Sequence, residues 1–388
     1  MSLRLPLSLA MLGLLLSCGS PPASAPQAPA LDAATPPRAA APEVEATRTS
    51  AETTTPEPAR AEPKAAPISP AAPTPPLTFK EAMLRIATCD RADDGLMLAD
   101  PASCLAPMRQ AYAALLDDES ASGATTLPAT LNVLLSHAEP TVVFYTLMEH
   151  GAHLQSSPET IKLLEGLLSS LLAPIAEAAA TTRLSLKGDR HEEIRKRALS
   201  LFGTHPQRRV RHAACRHLGG AAYKGDREVF STLITAARDT KRDHLLRACA
   251  AREAGHVATA RNLKTLIGLL DTLDIQQPTI VGLQRGLGTP KAIAAYVRWF
   301  DRHATQPDKL HWTAMHVFLP WDTELDRMPR SPTISVLQRI AGHLGHTGQV
   351  RSLAIEGLKR LKAEEALVTL RKGSTPTDPP EVKSALGR

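Results

Sequence analysis

A ten-residue pattern recurs along this chain and limits what it can fold into: aliphatic, Arg, two positions, Ala, three positions, apolar, Gly. It stands at Ile194, Arg195, Ala198, Phe202 and Gly203, and again at Val210, Arg211, Ala214, Leu218 and Gly219. It returns at Leu246, Arg247, Ala250, Ala254 and Gly255. A looser copy without Arg is Ile280, Leu283, Leu287 and Gly288, and a last one is Val350, Arg351, Ala354 and Leu358. Apolar residues three and four apart share one face of an α-helix, so each copy reads as an amphipathic helix. The small Ala permits close approach of a neighbour, and the Gly is expected to close the helix in a left-handed cap. Period-2 stretches rich in Val, Ile, Thr and aromatics are missing, while Pro and Gly punctuate the helical runs. The folded part is predicted to be all-α.

From the second copy onward the starts lie near 210, 246 and 279, and a further copy near 312–315 would fill the gap to 350. Second helices with their own apolar faces are predicted between them, over 228–238, 260–270, 290–300 and 364–370. A helix pair repeated at a fixed period signals a solenoid, in which each unit buries its face against its neighbours. The V-R-x-x-A-x-x-x-L-G form resembles the HEAT family, especially its short bacterial repeats, over roughly residues 190–388. The resemblance implies an α-solenoid of HEAT-like helix pairs, assigned to 183–388, that works as an extended binding surface. The 16-residue step between the first two copies breaks the period. An irregular helical bundle is the other all-α reading, and the tetratricopeptide signature is absent.

Upstream, residues 19–77 hold 15 Pro and 17 Ala in 59 positions, with no aromatic. Such a segment buries too little apolar surface to offset its ordering entropy, so a disordered tether is predicted over 18–77. As polyproline II it would reach roughly 180 Å, and as a flexible coil nearer about 45 Å. Before it, Arg4 precedes an apolar run from Leu5 to Leu16 that is too short to span a bilayer. That layout describes a secretory signal over residues 1–17. Leu15-Leu16-Ser17-Cys18 resembles the lipobox of bacterial lipoproteins. The resemblance implies cleavage before Cys18, a diacylglycerol on its thiol and an acyl chain such as palmitate on its amine, enough for stable anchoring. Gly19 in place of Asp favours, by the same resemblance, the outer membrane facing the periplasm. An ordinary cleaved signal with an incidental Cys is the alternative.

The folded part is expected to begin at the capping-box pattern Thr78-Phe79-Lys80-Glu81. Residues 78–182 read as helical without a clear repeat, either divergent repeats or a cap. Cys89 and Cys104 flank an Asp- and Gly-rich loop, and a disulfide between them is predicted to contribute about 3 kcal/mol. Cys215 and Cys249 fall inside repeat helices and are read as buried free thiols.

The net charge of +6 is unevenly laid out: 5 Lys/Arg against 13 Asp/Glu over 78–182, then 18 against 8 over 183–261. A basic solenoid ordinarily points to nucleic acid, but export argues against that partner. Arg208, Arg209, Arg211, Arg216 and Lys224 form a candidate ridge for anionic lipid or envelope polymer. The opposing reading is a solvated face, with motif arginines reaching carbonyls or acids on adjacent repeats. The His pairs 150/153, 212/217 and 343/346 lack zinc-site companions, and the Asp90–Pro101 loop fails calcium-loop spacing. No nucleophile elbow, phosphate loop or dinucleotide loop is present, so no catalytic residue, metal or cofactor is assigned. The leading expectation is a non-catalytic protein–protein scaffold held at the membrane. Binding of anionic polymer comes second, and an enzyme with an unlisted site third.

Overall fold

A computed structural model of the chain describes residues 77–387, apart from 93–94, 118–122, 187, 189, 319–324 and 326. The predicted signal, Cys18 and the tether up to residue 76 lie outside the described residues. The described residues belong to one folded unit. They are all-helical, and no strand occurs among them beyond an isolated bridge between Arg91 and Leu98.

The capping box forms as the sequence predicts. Thr78 Oγ1 accepts from the Glu81 amide at 3.3 Å, and Glu81 accepts from the Thr78 amide at 2.9 Å. It opens α1 (Phe79–Arg85), followed by α2 (Pro101–Asp117), α3 (Gly123–Leu135) and α4 (Pro140–His150). The chain continues through α5 (Pro158–Leu167), α6 (Ala173–Leu184), α7 (His191–Thr204), α8 (Arg208–Leu218), α9 (Arg227–Arg238) and α10 (His244–Val257). The remainder comprises α11 (Leu263–Ile267), α12 (Gln276–Gly282), α13 (Pro290–His303), α14 (Arg330–Gly342), α15 (Gly348–Arg360), α16 (Glu364–Gly373) and α17 (Pro380–Leu386). The 182/183 charge boundary therefore falls inside α6 and separates no elements.

The helices alternate between two rows. In the first row α4 packs on α6, α6 on α8, α8 on α10 and α10 on α12. The series continues through a 3-10 helix, Trp312–Phe318, to α15 and α17. Between the first-row elements stand the second-row helices α3, α5, α7, α9, α11, α13, α14 and α16, among which α3 packs on α5, α11 on α13, α13 on α14 and α14 on α16. The alternation already holds upstream of residue 183, at α3 to α6.

This arrangement accounts for the irregular period. The motif copies at 210, 246, 280, 312 and 350 all lie in the first row, whereas the copy at 194 lies on α7, in the second. The 16-residue step is thus the distance across one helix hairpin. Within the copies Val210, Leu246, Ile280, Ala198, Ala214, Ala250 and Ala354 are fully buried, which is where a helix–helix seam needs aliphatic and small side chains. The copy near 312 is 3-10 rather than α. Helix α14 was not among the second helices expected from the sequence.

At the start of the fold a disulfide joins Cys89 to Cys104, with Cα atoms 6.3 Å apart. The loop it closes also buries Leu96 and Leu98, and the Leu98 amide donates to the Tyr145 hydroxyl at 3.2 Å. Reducing the bond is expected to lower stability by up to about 3 kcal/mol. Urea titrations with and without reductant, on a Cys215→Ala/Cys249→Ala background, read this. An unchanged midpoint would mean that Leu96 and Leu98 hold the loop unaided.

Candidate functional site

The motif arginine clamps three segments in two copies. Arg247 Nε donates to the Ala237 carbonyl at 3.1 Å, and its guanidinium pairs with Asp274. Arg351 Nε donates to the Ala341 carbonyl at 2.8 Å, and Nη1 meets Asp378 at 3.0 Å. In both copies the carbonyl lies ten residues back, in the last turn of the preceding second-row helix, and the acid lies 27 residues ahead. Last-turn carbonyls have no partner within their own helix, and the guanidinium supplies one. The copy at 210 departs from this: position 238, 27 ahead of Arg211, is another arginine, and Arg211 Nε is buried without a hydrogen-bond partner. On α7, Arg195 holds Asp226 at 2.6 Å and also pairs with Glu228; Asp226 in turn caps α9.

Three of the four motif glycines do not end helices in left-handed caps as expected. Gly203, Gly219 and Gly255 all keep negative φ, and α10 runs past Gly255 to Val257. Gly255 permits backbone contact instead: a Cβ there would sit 2.2 Å from the Gly282 carbonyl carbon. Gly288 alone among the motif glycines is left-handed, closing the π-turn at 283–287 that follows α12.

The first row exposes an apolar edge. The starts of consecutive first-row elements meet: Gln207 donates to the Ser170 carbonyl at 2.6 Å, Arg208 pairs with Asp243 at 3.2 Å, His244 meets the Asp274 carbonyl at 2.9 Å and Gln276 donates to the Lys309 carbonyl at 2.6 Å. Six of the ten exposed large apolar residues among those described lie at these starts: Leu171 and Leu172 before α6, Leu245 on α10, Leu273 before α12, Trp312, and Leu344 before α15. Leu344 is 72 % exposed and Trp312 38 %. Sequence reasoning passed over them, because a single Leu in a loop carries no pattern until the rows align the loops.

Four of the five basic residues of the candidate ridge lie on α8, and three of those are drawn into ion pairs. Arg209 and Arg216 converge on Glu177, at 3.7 and 2.8 Å, while Arg208 pairs with Asp243 at 3.2 Å. Lys224 donates to the carbonyls of His256, at 3.0 Å, and Gly286. Glu177 belongs to the acidic stretch upstream, so part of the charge asymmetry is internal complementarity.

Between α8 and α10 lies a buried polar cluster. Cys215 on α8 and Cys249 on α10 are both unbonded and buried, near enough to each other and to His212 to influence how they titrate. Burial by itself would raise Cys249, but its contacts with Cys215 and His212 outweigh this and bring it down to about 6. Burial and the Cys249 contact push Cys215 well above the usual thiol range. Glu253, one turn further along α10, is buried and held by Arg252 at 2.7 Å and His256 at 2.8 Å.

The other histidines are largely engaged locally. His150 meets the Met108 sulfur at 3.1 Å, and burial lowers its pKa to about 4. His153 pairs with the Tyr112 hydroxyl at 2.8 Å, His217 with the Tyr223 hydroxyl at 2.9 Å, and His346 donates to the Ala304 carbonyl at 2.8 Å. The His343 ring packs against that of His346, with centroids 5.1 Å apart. Among the described residues no group of three or more His, Cys, Asp or Glu is arranged to hold a metal ion, and no helix is long and apolar enough to cross a membrane. No protein-family model matches the chain, and no curated protein matches its sequence.

Proposed function

We propose that this chain is a lipoprotein anchored through Cys18 at the periplasmic face of the outer membrane, whose HEAT-like α-solenoid binds another protein along its first-row edge. The observation that carries the reading is the apolar edge, with exposed side chains at the starts of α6, α10, α12, the 312–318 turn and α15. Exposed apolar side chains that recur on one edge mark a protein contact better than scattered ones do, and Trp is enriched among residues that dominate binding. The alternating rows and the repeated Arg clamp support the solenoid reading, and the upstream helices then count as divergent repeats. Binding of anionic envelope polymer remains the second reading, carried by the half-exposed Arg208 and Arg209 at the start of α8.

Affinity capture from membranes separates the two. Leu245→Asp combined with Trp312→Ala and Leu344→Asp is expected to reduce recovery of a reproducible protein partner at least about tenfold, with helical content unchanged. Arg208→Glu with Arg209→Glu is expected to leave that recovery intact. Full recovery by the edge variant would sink the scaffold reading. Salt-sensitive retention on lipopolysaccharide, abolished by the charge reversal, would install the polymer reading instead. Loss of radiolabelled fatty acid from Cys18→Ser tests the anchor on its own.

A further inference from the structure

We infer that His343 and His346 form a two-imidazole site for a divalent transition-metal ion of the zinc, copper and nickel class, in the turn between α14 and α15. The Ala304 carbonyl bonded to His346 at 2.8 Å can only accept, so Nε2 carries the ring proton and Nδ1 is left as a bare lone pair. Metal-binding histidines are prepared in this way: one nitrogen donates to a carbonyl, which fixes the tautomer and frees the other for the ion. His346 is 4 % exposed, and its Nδ1 is buried with no hydrogen-bond partner. The Nδ1 of His343 is also buried and unpartnered, so the two nitrogens do not bond to each other either. Aromatic packing accounts for two rings side by side, but not for two ring nitrogens left without partners, a cost that a shared ion would offset.

The spacing suits one ion. Imidazole nitrogens bind zinc at about 2.0–2.1 Å in a tetrahedral arrangement, which sets the centroids of two ligand rings about 5 Å apart. Those of His343 and His346 are 5.1 Å apart, with planes inclined at 63°. Gly345 keeps the space beside the ring open: a Cβ there would lie 3.3 Å from His343 Nδ1, 2.9 Å from its Cε1 and 3.0 Å from Pro307 Cγ. The turn lies at the surface, with Leu344 and Gly345 exposed and His343 only partly buried, so turning the His343 ring admits an ion from solvent. Burial, joined by His343 and Arg351, holds His346 below the ordinary histidine range despite the Ala304 bond, which keeps the ring neutral and able to bind metal near pH 7. The Arg351 charge is itself met by Asp378 at 3.0 Å. Imidazole donors without thiolate suit zinc, copper and nickel. Two protein ligands leave the other positions to water or to a donor from a second molecule. Leu344 stands between the ligands on the first-row edge, so the ion also fixes how that residue is presented. This last consequence rests on the scaffold reading; the ion site does not.

The test titrates zinc chloride into the full-length folded protein, followed by calorimetry and by the nitrogen-15 resonances of the histidine rings. The expected result is a single zinc ion on this pair, with the Nδ1 resonances of His343 and His346 shifting while His346 Nε2 keeps its proton. His343→Ala is expected to weaken binding at least about tenfold, with helical content unchanged. Gly345→Ala keeps both ligands and is expected to weaken binding too, because the added methyl presses on the His343 ring. His346 is buried and bonded to Ala304, so its replacement would test folding as much as binding, and His343→Ala decides. Equal affinity in wild type and His343→Ala, coordination through His346 Nε2, or zinc spread at similar strength over several other histidines would each overturn the site. The titration needs no partner, so its outcome is separate from that of the capture experiment.

Discussion

Replacing Gly255 with alanine is expected to lower the unfolding free energy by about 3 kcal/mol, and replacing it with leucine by more, at the upper end of what overpacking costs. A Cβ at Gly255 would lie 2.2 Å from the Gly282 carbonyl carbon, one at Gly282 would lie 2.4 Å from the Arg252 carbonyl oxygen, and one at Gly286 would lie 1.7 Å from the Gly255 oxygen. Every one of these neighbours is backbone, so no flexible side chain can swing aside. The helices must separate by an ångström or more, and the fully buried Leu246, Ala250, Ile280 and Leu283 beside the contact lose dispersion contacts together. Gly203 occupies the same motif position on the other row with nothing within 4 Å of its would-be Cβ. Gly203→Ala is therefore expected to stabilise by about 0.5–1 kcal/mol through helix propensity. Urea midpoints of the two variants should move in opposite directions. A shared direction would mean that Gly255 is not a close-approach position.

That contrast locates what the sequence could and could not disclose. Period and polarity are local, so the all-α class, the capping box at Thr78 and the buried motif alanines were legible in the chain itself. The reason for a glycine is not local: a left-handed cap and a backbone contact both demand Gly, and the residue that decides between them lies 27 positions away at Gly282. One signal was present. Gly282 and Gly286 are four apart, hence on one helix face, and such a pair marks a groove for another backbone. The arginine clamp was hidden in a similar way, because its carbonyl and its acid are ten residues back and 27 ahead. A motif defined within ten residues omits both partners. The apolar edge needed the row assignment before its leucines could be seen as a series, and the pairing of Arg209 and Arg216 with Glu177 needed it too. A count of charges along the chain cannot tell a ridge from a brace.

The clamp makes the second large effect. Arg351→Ala is expected to cost about 3–4 kcal/mol, because it strands a carboxylate and a last-turn carbonyl at once. The Asp378 side chain is 2 % exposed, so water cannot replace the lost guanidinium. At Arg247→Ala the partner Asp274 is 42 % exposed and rehydrates, so the expected loss falls to about 1–2 kcal/mol. Arg351→Lys should lie between wild type and Arg351→Ala, since an ammonium keeps the charge but cannot fork to both acceptors. The pH dependence identifies the cause. The Thr375 amide, the Ser374 side chain and Arg351 together hold the Asp378 carboxyl below its ordinary value despite burial. A depressed carboxyl stabilises the fold above its unfolded pKa of about 4 and loses that contribution as pH falls through the folded value. The gap between wild type and Arg351→Ala should accordingly be constant from about pH 5 to neutrality and shrink below about pH 4. Urea denaturation across that range measures it. A gap that persists in acid would place the effect in lost packing of the Arg351 side chain rather than in its charge, and equal losses at Arg247 and Arg351 would remove burial of the acid as the deciding variable.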